Sequence, residues 1–532
     1  MEDNQAVGST DDIPRGAPAP WQSHPSIVAE VEALKQKYTA TDLSVAEVLC
    51  DVHPAEDTAF ICVDDRFEPY RLSYGELSER SRRLATYLSN LGVGCGSRVG
   101  VLMEKTQQLP IVQVALWRLG AIEVPLFTAF AGPAIATRVN DAEAALIVAD
   151  AGQQHKLKGI DIPVLGTGPD LDQEIDVHEP IGTAEKIGGD GLFLQLYTSG
   201  TTGTPKAVGV PGRAIGAFIA YMRYGLDVAD DDVFWNAADP GWAYGLYYGV
   251  VGPMAIGQAN ILFAGRFTPE MTGRLFEELK VTNLAAAPTI YRALKKDGVR
   301  AENPLRVASS AGEPLTSDVV EWAPEALGVT VRDHWGQTEQ GMAICNPWDE
   351  RLLAQVAPNS MGQALPGFVA GTVGPSIALS VLDSPLMWFS GYVGDPDRTM
   401  ERFTEDGAWY FTGDVGRSED ANFFFASRDD DVILAAGYRI APFDIESILV
   451  TDDVVVEAAV VGRPDEIRGE VVVAFVVTNQ DVSEDELQKR LQQAVRDAYG
   501  AHAYPRRVHI VGELPKTPSG KVQRFVLREA AI

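Results

Sequence analysis

Tyr197-Thr198-Ser199-Gly200-Thr201-Thr202-Gly203-Thr204-Pro205-Lys206 follows an apolar run at residues 192–196. Hydroxyls and glycines alternate along it, so backbone N–H and side-chain O–H groups can converge on phosphate oxygens while Lys206 supplies charge. It is not a Walker loop, because Pro205 precedes the lysine and no Gly-Lys-Ser/Thr follows. Working outward, helical and strand-like segments alternate. Residues 74–91 carry Leu77, Leu84, Tyr87 and Leu88 at helical spacing, residues 98–103 read as a strand and 111–119 as a helix. Residues 122–126 and 145–148 again read as strands. This alternation predicts layered α/β sheets, largely parallel.

A chain of 532 residues exceeds what one hydrophobic core organises, so at least two domains are expected. With 44 Lys+Arg against 74 Asp+Glu, the net charge is −30. Such a surface repels nucleic acid and anionic lipid, which excludes both as general partners. An acidic chain that binds a polyanionic nucleotide must gather positive groups locally and recruit a divalent cation. The four cysteines are scattered with no CxxC pair, which reads as buried thiols in a reducing, cytoplasmic setting. The N-terminal residues lack the basic start and apolar run of a signal peptide. Residues 240–265 carry no charge, and Gly241, Gly245 and Gly249 stand at GxxxG spacing. Pro253, Gln258, Asn260, Gly252 and Gly257 interrupt that stretch, so a buried loop, helix and strand around a binding pocket is expected in place of a membrane span.

Residues 1–21 are polar and rich in Pro and Gly, and are expected to form a disordered arm. Residues 22–429 read as the large domain. Near Ser427-Arg428-Asp429-Asp430-Asp431 the texture changes to a charged run. Beyond it, residues 430–532 read as a small α+β unit: strand 432–434, helix 442–449, strands 454–461 and 470–477, helix 484–499, strand 507–511. The fold class is therefore α/β, with a large N-terminal domain of layered α/β sheets and a small hinged α+β C-terminal domain.

The hydroxyl-rich loop resembles the phosphate loop of the adenylate-forming superfamily of acyl-CoA synthetases, luciferases and peptide-synthetase adenylation domains. Further motifs recur in the family's order across roughly residues 30–532. Gly312-Glu313-Pro314 resembles the adenine-binding turn, and Asp333-His334-Trp335-Gly336-Gln337-Thr338-Glu339 the aromatic-x-x-Thr-Glu motif. Tyr410-Phe411-Thr412-Gly413-Asp414 resembles the ribose-binding segment, and Arg428-Asp429-Asp430 with Gly437-Tyr438-Arg439-Ile440 the hinge. Pro515-Lys516-Thr517-Pro518-Ser519-Gly520-Lys521 resembles the catalytic-lysine loop. The resemblance implies an AMP-forming acyl-CoA synthetase that uses ATP, Mg2+ and coenzyme A. It would form acyl-AMP and pyrophosphate from a carboxylic acid, then pass the acyl group to the thiol. The alternative is a ligase that loads a carrier protein, and a third reading is a nucleotide-binding regulator without catalysis.

Carried over residue by residue, the resemblance implies catalytic roles for Lys521, Arg439 and Lys206. It assigns ATP binding to Thr198, Ser199, Gly200, Thr201, Thr202, Gly203, Thr204, Lys206, Gly312, Glu313, Pro314, Asp333, Trp335, Thr338, Asp414, Arg428, Arg439 and Lys521. Asp414 can accept hydrogen bonds from two vicinal ribose hydroxyls. Trp335 offers an aromatic face to adenine. Glu339 is the implied Mg2+ ligand, as a hard cation prefers carboxylate and phosphate oxygens. Lys521 would stabilise the negative charge that accumulates as pyrophosphate leaves. Asp430 matches the hinge position, while Gly437 and Arg496 match coenzyme A contacts.

Asp239-Pro240-Gly241-Trp242-Ala243-Tyr244-Gly245 resembles a segment of the acetyl-CoA and medium-chain acyl-CoA synthetase branch. It implies an acyl pocket of Trp242, Ala243, Tyr244 and Gly336. Acetate enzymes carry a tryptophan where Gly336 stands, so an open pocket floor and a short- to medium-chain or aryl acid are expected. Tyr244 is larger than its counterpart and would refill part of that space. Ser427, Leu434 and Arg213 depart from the family pattern; the first two bear on the hinge and the third on the acyl pocket. A monomer or homodimer is expected.

Overall fold

The computed structural model describes residues 18–530 apart from 65, 199–204, 266, 429–430, 436–437, 466–468, 501–502 and 518–520. Among these residues the strands form four sheets. In the six-stranded sheet, Arg98–Leu102 lies between parallel neighbours Ile122–Pro125 and Leu146–Ala149. Leu192–Thr198 joins Ile122–Pro125 in parallel and turns back antiparallel through Lys206–Pro211. The nine-stranded sheet has a parallel centre through Val307–Ala311 and Arg332–Gln337, with antiparallel strands at its two ends. The expected alternation thus appears as two mixed sheets with parallel centres. The third sheet, of four strands, is antiparallel throughout and follows them in sequence.

Local chemistry explains the helices that cover these sheets. Helix Tyr74–Asn90 begins where the Ser73 side chain accepts a hydrogen bond from the Glu76 N–H at 3.2 Å. It buries Tyr74, Leu77, Ser81, Leu84, Ala85 and Leu88, a stripe at three- and four-residue spacing. Helix Gln108–Arg118 is buried on every face, and its Arg118 satisfies its charge against Asp51 at 2.7 Å.

The expected uncharged stretch is a helical run from Ala243 to Ile256 followed by strand Asn260–Phe263. Its glycine spacing has a local cause. A Cβ on Gly241 would stand 2.5 Å from Phe127 Cα, and one on Gly245 2.2 Å from the Asp239 carbonyl oxygen. These glycines let backbone approach backbone; they do not mark a membrane interface. No helix among the described residues is long and apolar enough to cross a membrane.

The last sheet pairs Val455–Asp465 with Gly469–Thr478 in antiparallel fashion and adds Arg507–Ile510 in parallel. Helices Pro442–Leu449 and Glu484–Ala498 pack on it around Val460, Val472, Leu487 and Leu491. One expectation needs correction at the other end of the chain. Residues 18–21, read as part of a disordered arm, are built into the fold. Trp21 is 3% exposed and its indole N–H donates to the Phe368 carbonyl at 2.8 Å, because an indole stabilises a fold most when buried with its donor paired. The rest of that arm, residues 1–17, lies outside the described residues.

Candidate active site

Three sheets send strand ends or strand edges into one cleft. Leu192–Thr198 leads into the hydroxyl-rich loop and returns at Lys206, opposite Thr198 in register. Val307–Ala311 runs into Gly312-Glu313-Pro314, and Arg332–Gln337 into Thr338 and Glu339. In the antiparallel sheet, Asp414 on Trp409–Glu419 lies opposite Arg428 on Asn422–Arg428. Ligand sites in α/β sheets form at the carboxyl ends of parallel strands, which is where two of these turns lie.

Asp414 is the best-held group of the cleft. Its Oδ1 accepts from Arg428 Nη1 at 2.8 Å, and its Oδ2 from Trp335 Nε1 at 2.8 Å and Gln337 Nε2 at 3.3 Å. Burial lifts its carboxyl above the usual range, while Arg428 and Trp335 oppose that. Trp335 is 9% exposed, so its indole is pinned by its edge and offers little free face. Gly312 has φ +100°, in the left-handed region that favours glycine, and a Cβ there would meet nothing within 4 Å. Open space therefore stands above that turn, while Glu313 beside it is held by Arg292 at 3.1 Å. Asp333 is desolvated, which pushes its carboxyl up to about 8 against the Leu315 N–H.

Glu339 is buried, and its Oε1 accepts from the Tyr392 hydroxyl at 2.9 Å. Lys206 Nζ lies 5.0 Å from the Tyr392 ring centroid. Lost solvation, then Arg402, holds the Lys206 ammonium below the ordinary lysine value. Lys521 completes the ring of charges from the C-terminal unit. Its side chain keeps contact with water, yet protein surrounds it. Lost solvation, then the Arg428 guanidinium, lowers its ammonium against the pull of Glu313, Asp414 and Glu339.

The acyl-pocket residues divide. Trp242 and Ala243 line a small cavity with Thr338, Gly241 and Tyr197, and Trp242 packs against Phe127 and Phe130 at 5.5 and 5.2 Å between ring centroids. The expected opening at Gly336 is corrected by the structure. A Cβ there would lie 2.4 Å from the Gly341 carbonyl oxygen and 2.6 Å from Met342 Cα. A register shift between Trp335 and Gly336 brings the neighbouring strand onto the glycine, so the missing side chain is filled by backbone and the floor is not opened. Arg213 also lies apart from the pocket: it pairs with Asp190 and donates to the Trp388 carbonyl at 3.0 Å.

Sequence reasoning missed a hydrogen-bonded chain behind the pocket. His334 Nε2 faces the Asn346 carbonyl at 3.1 Å, which can only accept, so Nε2 carries the proton. Burial holds this imidazole neutral, down to about 3, leaving Nδ1 to accept from the Tyr221 hydroxyl at 2.8 Å. Tyr221 then accepts from the Tyr244 hydroxyl at 3.0 Å. Tyr244 is thereby anchored between Tyr221 and Tyr248, with its proton committed inward. Arg402 and Tyr392 were missed as well; no periodicity or motif distinguishes them in the sequence.

Ser199, Gly200, Thr201, Thr202, Gly203, Thr204, Asp430 and Gly437 lie outside the described residues. Arg439 stands on strand Tyr438–Ile440. Arg496 lies on the exposed face of Glu484–Ala498, 4.0 Å from the Tyr504 ring centroid. Leu434 is 54% exposed, whereas Ser427 is buried.

Comparison with known proteins agrees with this geometry. The family model described as AMP-binding enzyme matches residues 47–376, and that of the AMP-binding enzyme C-terminal domain matches residues 444–521. The acetyl-coenzyme A synthetase of Bacillus subtilis is 32% identical over 488 residues, covering 86% of this chain and 85% of its own. The mitochondrial acyl-coenzyme A synthetase ACSM3 of Mus musculus is 32% identical over 506 residues, covering 88% and 86%. Among solved structures, an acyl-CoA synthetase of Brucella canis superposes with a TM-score of 0.74 at 38% identity, covering 94% of this chain and 96% of that one.

Proposed function

The chain belongs to the AMP-binding enzyme family and is an AMP-forming acid–thiol ligase, and from that premise we propose that it joins a short- to medium-chain or aryl carboxylic acid to coenzyme A. One observation carries the reading. Lys206, Glu339, Asp414, Arg428 and Lys521, drawn from distant parts of the chain, act on one another electrostatically around a single cleft.

In the first step a carboxylate oxygen of the acid attacks the α-phosphorus of ATP, and pyrophosphate leaves with the bonding pair. Charge accumulates on groups that are already anionic, so Lys521 and Lys206 stabilise the transition state more than the ground state. Asp414 receives the ribose hydroxyls, and the open space above Gly312 receives the adenine. In the second step the thiol attacks the acyl carbonyl and AMP departs. Glu339 fits a Mg2+ ion: it is a buried carboxylate with one oxygen held by Tyr392 and no other hydrogen bond to it from the described residues. No group of three or more metal-binding side chains occurs among the described residues, so phosphate oxygens and water would complete the coordination, as Mg2+ prefers. Bound there, the ion would neutralise phosphate charge.

Two features weight the acid toward the small end of the range. Backbone fills the space at Gly336, and Tyr244 is tied down by Tyr221. The test is pyrophosphate release from ATP and Mg2+ against acetate, propionate, butyrate, hexanoate, octanoate and benzoate, with and without coenzyme A. Acid-dependent release with an acyl-CoA product is expected, greatest for a short acid. Acyl-AMP that accumulates and never reaches coenzyme A would reject the thiol assignment, and octanoate as the best acid would reject the small pocket.

A further inference from the structure

We propose that Arg402, on the loop between helix Pro396–Met400 and strand Trp409–Glu419, is a catalytic residue that binds the departing pyrophosphate beside Lys206. The inference rests on the nucleotide-dependent reading above and adds a residue that no motif contains.

The geometry begins with Gly413. Its φ is +71°, and a Cβ there would stand 2.8 Å from Arg402 Nη1 and 3.6 Å from Arg428 Nη2. Two guanidinium groups therefore converge over a position that only glycine leaves clear. Like charges so placed need anions nearby. Arg428 has one in Asp414 at 2.8 Å. Arg402 has no carboxylate within ion-pair distance among the described residues. Its Nη2 donates to the Thr412 carbonyl at 2.8 Å and the Tyr410 hydroxyl at 3.3 Å, both uncharged. Among the described residues its Nε is buried without a partner, and none offers an acceptor to Nη1. A desolvated guanidinium without a counter-charge is costly unless an anion arrives.

The arriving anion is identified by the neighbours. Among the described residues, Lys206, Arg402, Arg428 and Lys521 share Asp414 and Glu339 as the carboxylates not bound elsewhere. The excess suits a polyphosphate. Arg428 and Asp414 occupy the ribose side. Lys206 stands 5.0 Å from the Tyr392 ring centroid and Tyr392 donates to Glu339 at 2.9 Å, and Arg402 acts on all three without a carboxylate paired to it among the described residues. The β- and γ-phosphates belong there. As the Pα–O bond breaks, its electron pair leaves with pyrophosphate and no proton is transferred. The Nη1 donors of Arg402, to which no described residue offers an acceptor, meet that growing charge.

The experiment is calorimetric titration of Mg-pyrophosphate and, separately, of AMP into the full chain, Arg402→Gln and Arg402→Lys, with melting temperature as a check on folding. Loss of one charge-assisted contact predicts a roughly ten- to hundred-fold weaker pyrophosphate complex in Arg402→Gln. AMP affinity should stay within about two-fold, with Arg402→Lys intermediate for pyrophosphate. Unchanged pyrophosphate binding overturns the proposal. So does equal weakening of AMP and pyrophosphate, which would show that Arg402 only braces Thr412 and Asp414. If Arg402→Gln fails to fold, Arg402→Lys decides by the same comparison. A parent chain that binds neither AMP nor pyrophosphate would instead overturn the nucleotide reading itself.

Discussion

Glu313, Asp414 and Glu339 attract the Lys521 ammonium electrostatically, and the Arg428 guanidinium repels it. In the reaction proposed above, such a group would matter where charge develops, in the attack on the α-phosphorus, and would have no comparable task when a thiol displaces AMP. Lys521→Ala should slow acyl-AMP formation by about 10²–10³ while thioester formation from supplied acyl-AMP stays near the parent rate. Stopped-flow measurement of the two half-reactions separates them, and equal losses in both would remove the assigned role. Its ammonium is held below the usual lysine value, and the charged form is the useful one. The alkaline limb of kcat/KM for the first half-reaction should therefore fall before the ordinary lysine range and move upward in Lys521→Arg. At this scale the motifs quoted from the sequence were informative: Trp335, Asp414 and Arg428 meet as one hydrogen-bonded group. Arg402, Tyr392 and the His334–Tyr221–Tyr244 chain were not legible, because their roles arise from contacts between segments distant in sequence.

Strand Ile122–Pro125 is buried along its whole length and carries Glu123, 1% exposed. Gln113 Nε2 donates to Glu123 Oε1 at 2.9 Å, and Oε2 has no partner among the described residues. Burial pushes the carboxyl from 4.5 up to about 7. The sign follows from proton binding: between these values the folded chain holds the proton and the unfolded chain has lost it. The contribution of Glu123 to stability therefore falls as pH rises from 4.5 to about 7 and is flat on either side, a cost of roughly 3 kcal/mol that adds to the one from Asp333. Glu123→Gln should make the overall slope between these pH values shallower and raise the melting temperature at pH 8 relative to the parent, with the part due to Asp333 remaining. An unaltered pH profile in the variant would show that another group carries the dependence. The element scale also shows why Gly336 misled. A glycine in a sequence signals a missing side chain, but only the strand beside it tells whether the space is empty or occupied, and here Gly341 and Met342 occupy it.

Over the whole molecule the charge is −30, yet the cleft gathers Lys206, Arg402, Arg428 and Lys521. Dispersed acidic repulsion weakens as salt shortens the Debye length from about 10 Å at 0.1 M to about 3 Å at 1 M. The melting temperature should thus rise between those NaCl concentrations, whereas the KM for ATP should rise too, because the same screening weakens phosphate binding. Scanning calorimetry and initial rates test both, and a melting temperature that falls with salt would refute the repulsion argument. The sequence by itself determined the layered α/β class, the family motifs and their order, because periodicity, charge and short motifs are local properties of a chain. Only the tertiary structure decided that Trp21 joins the core, that Gly336 is filled, that Tyr244 turns its proton inward and that Arg402 has no carboxylate paired with it among the described residues. Each depends on which distant segment packs against it, and packing is a property of the folded whole.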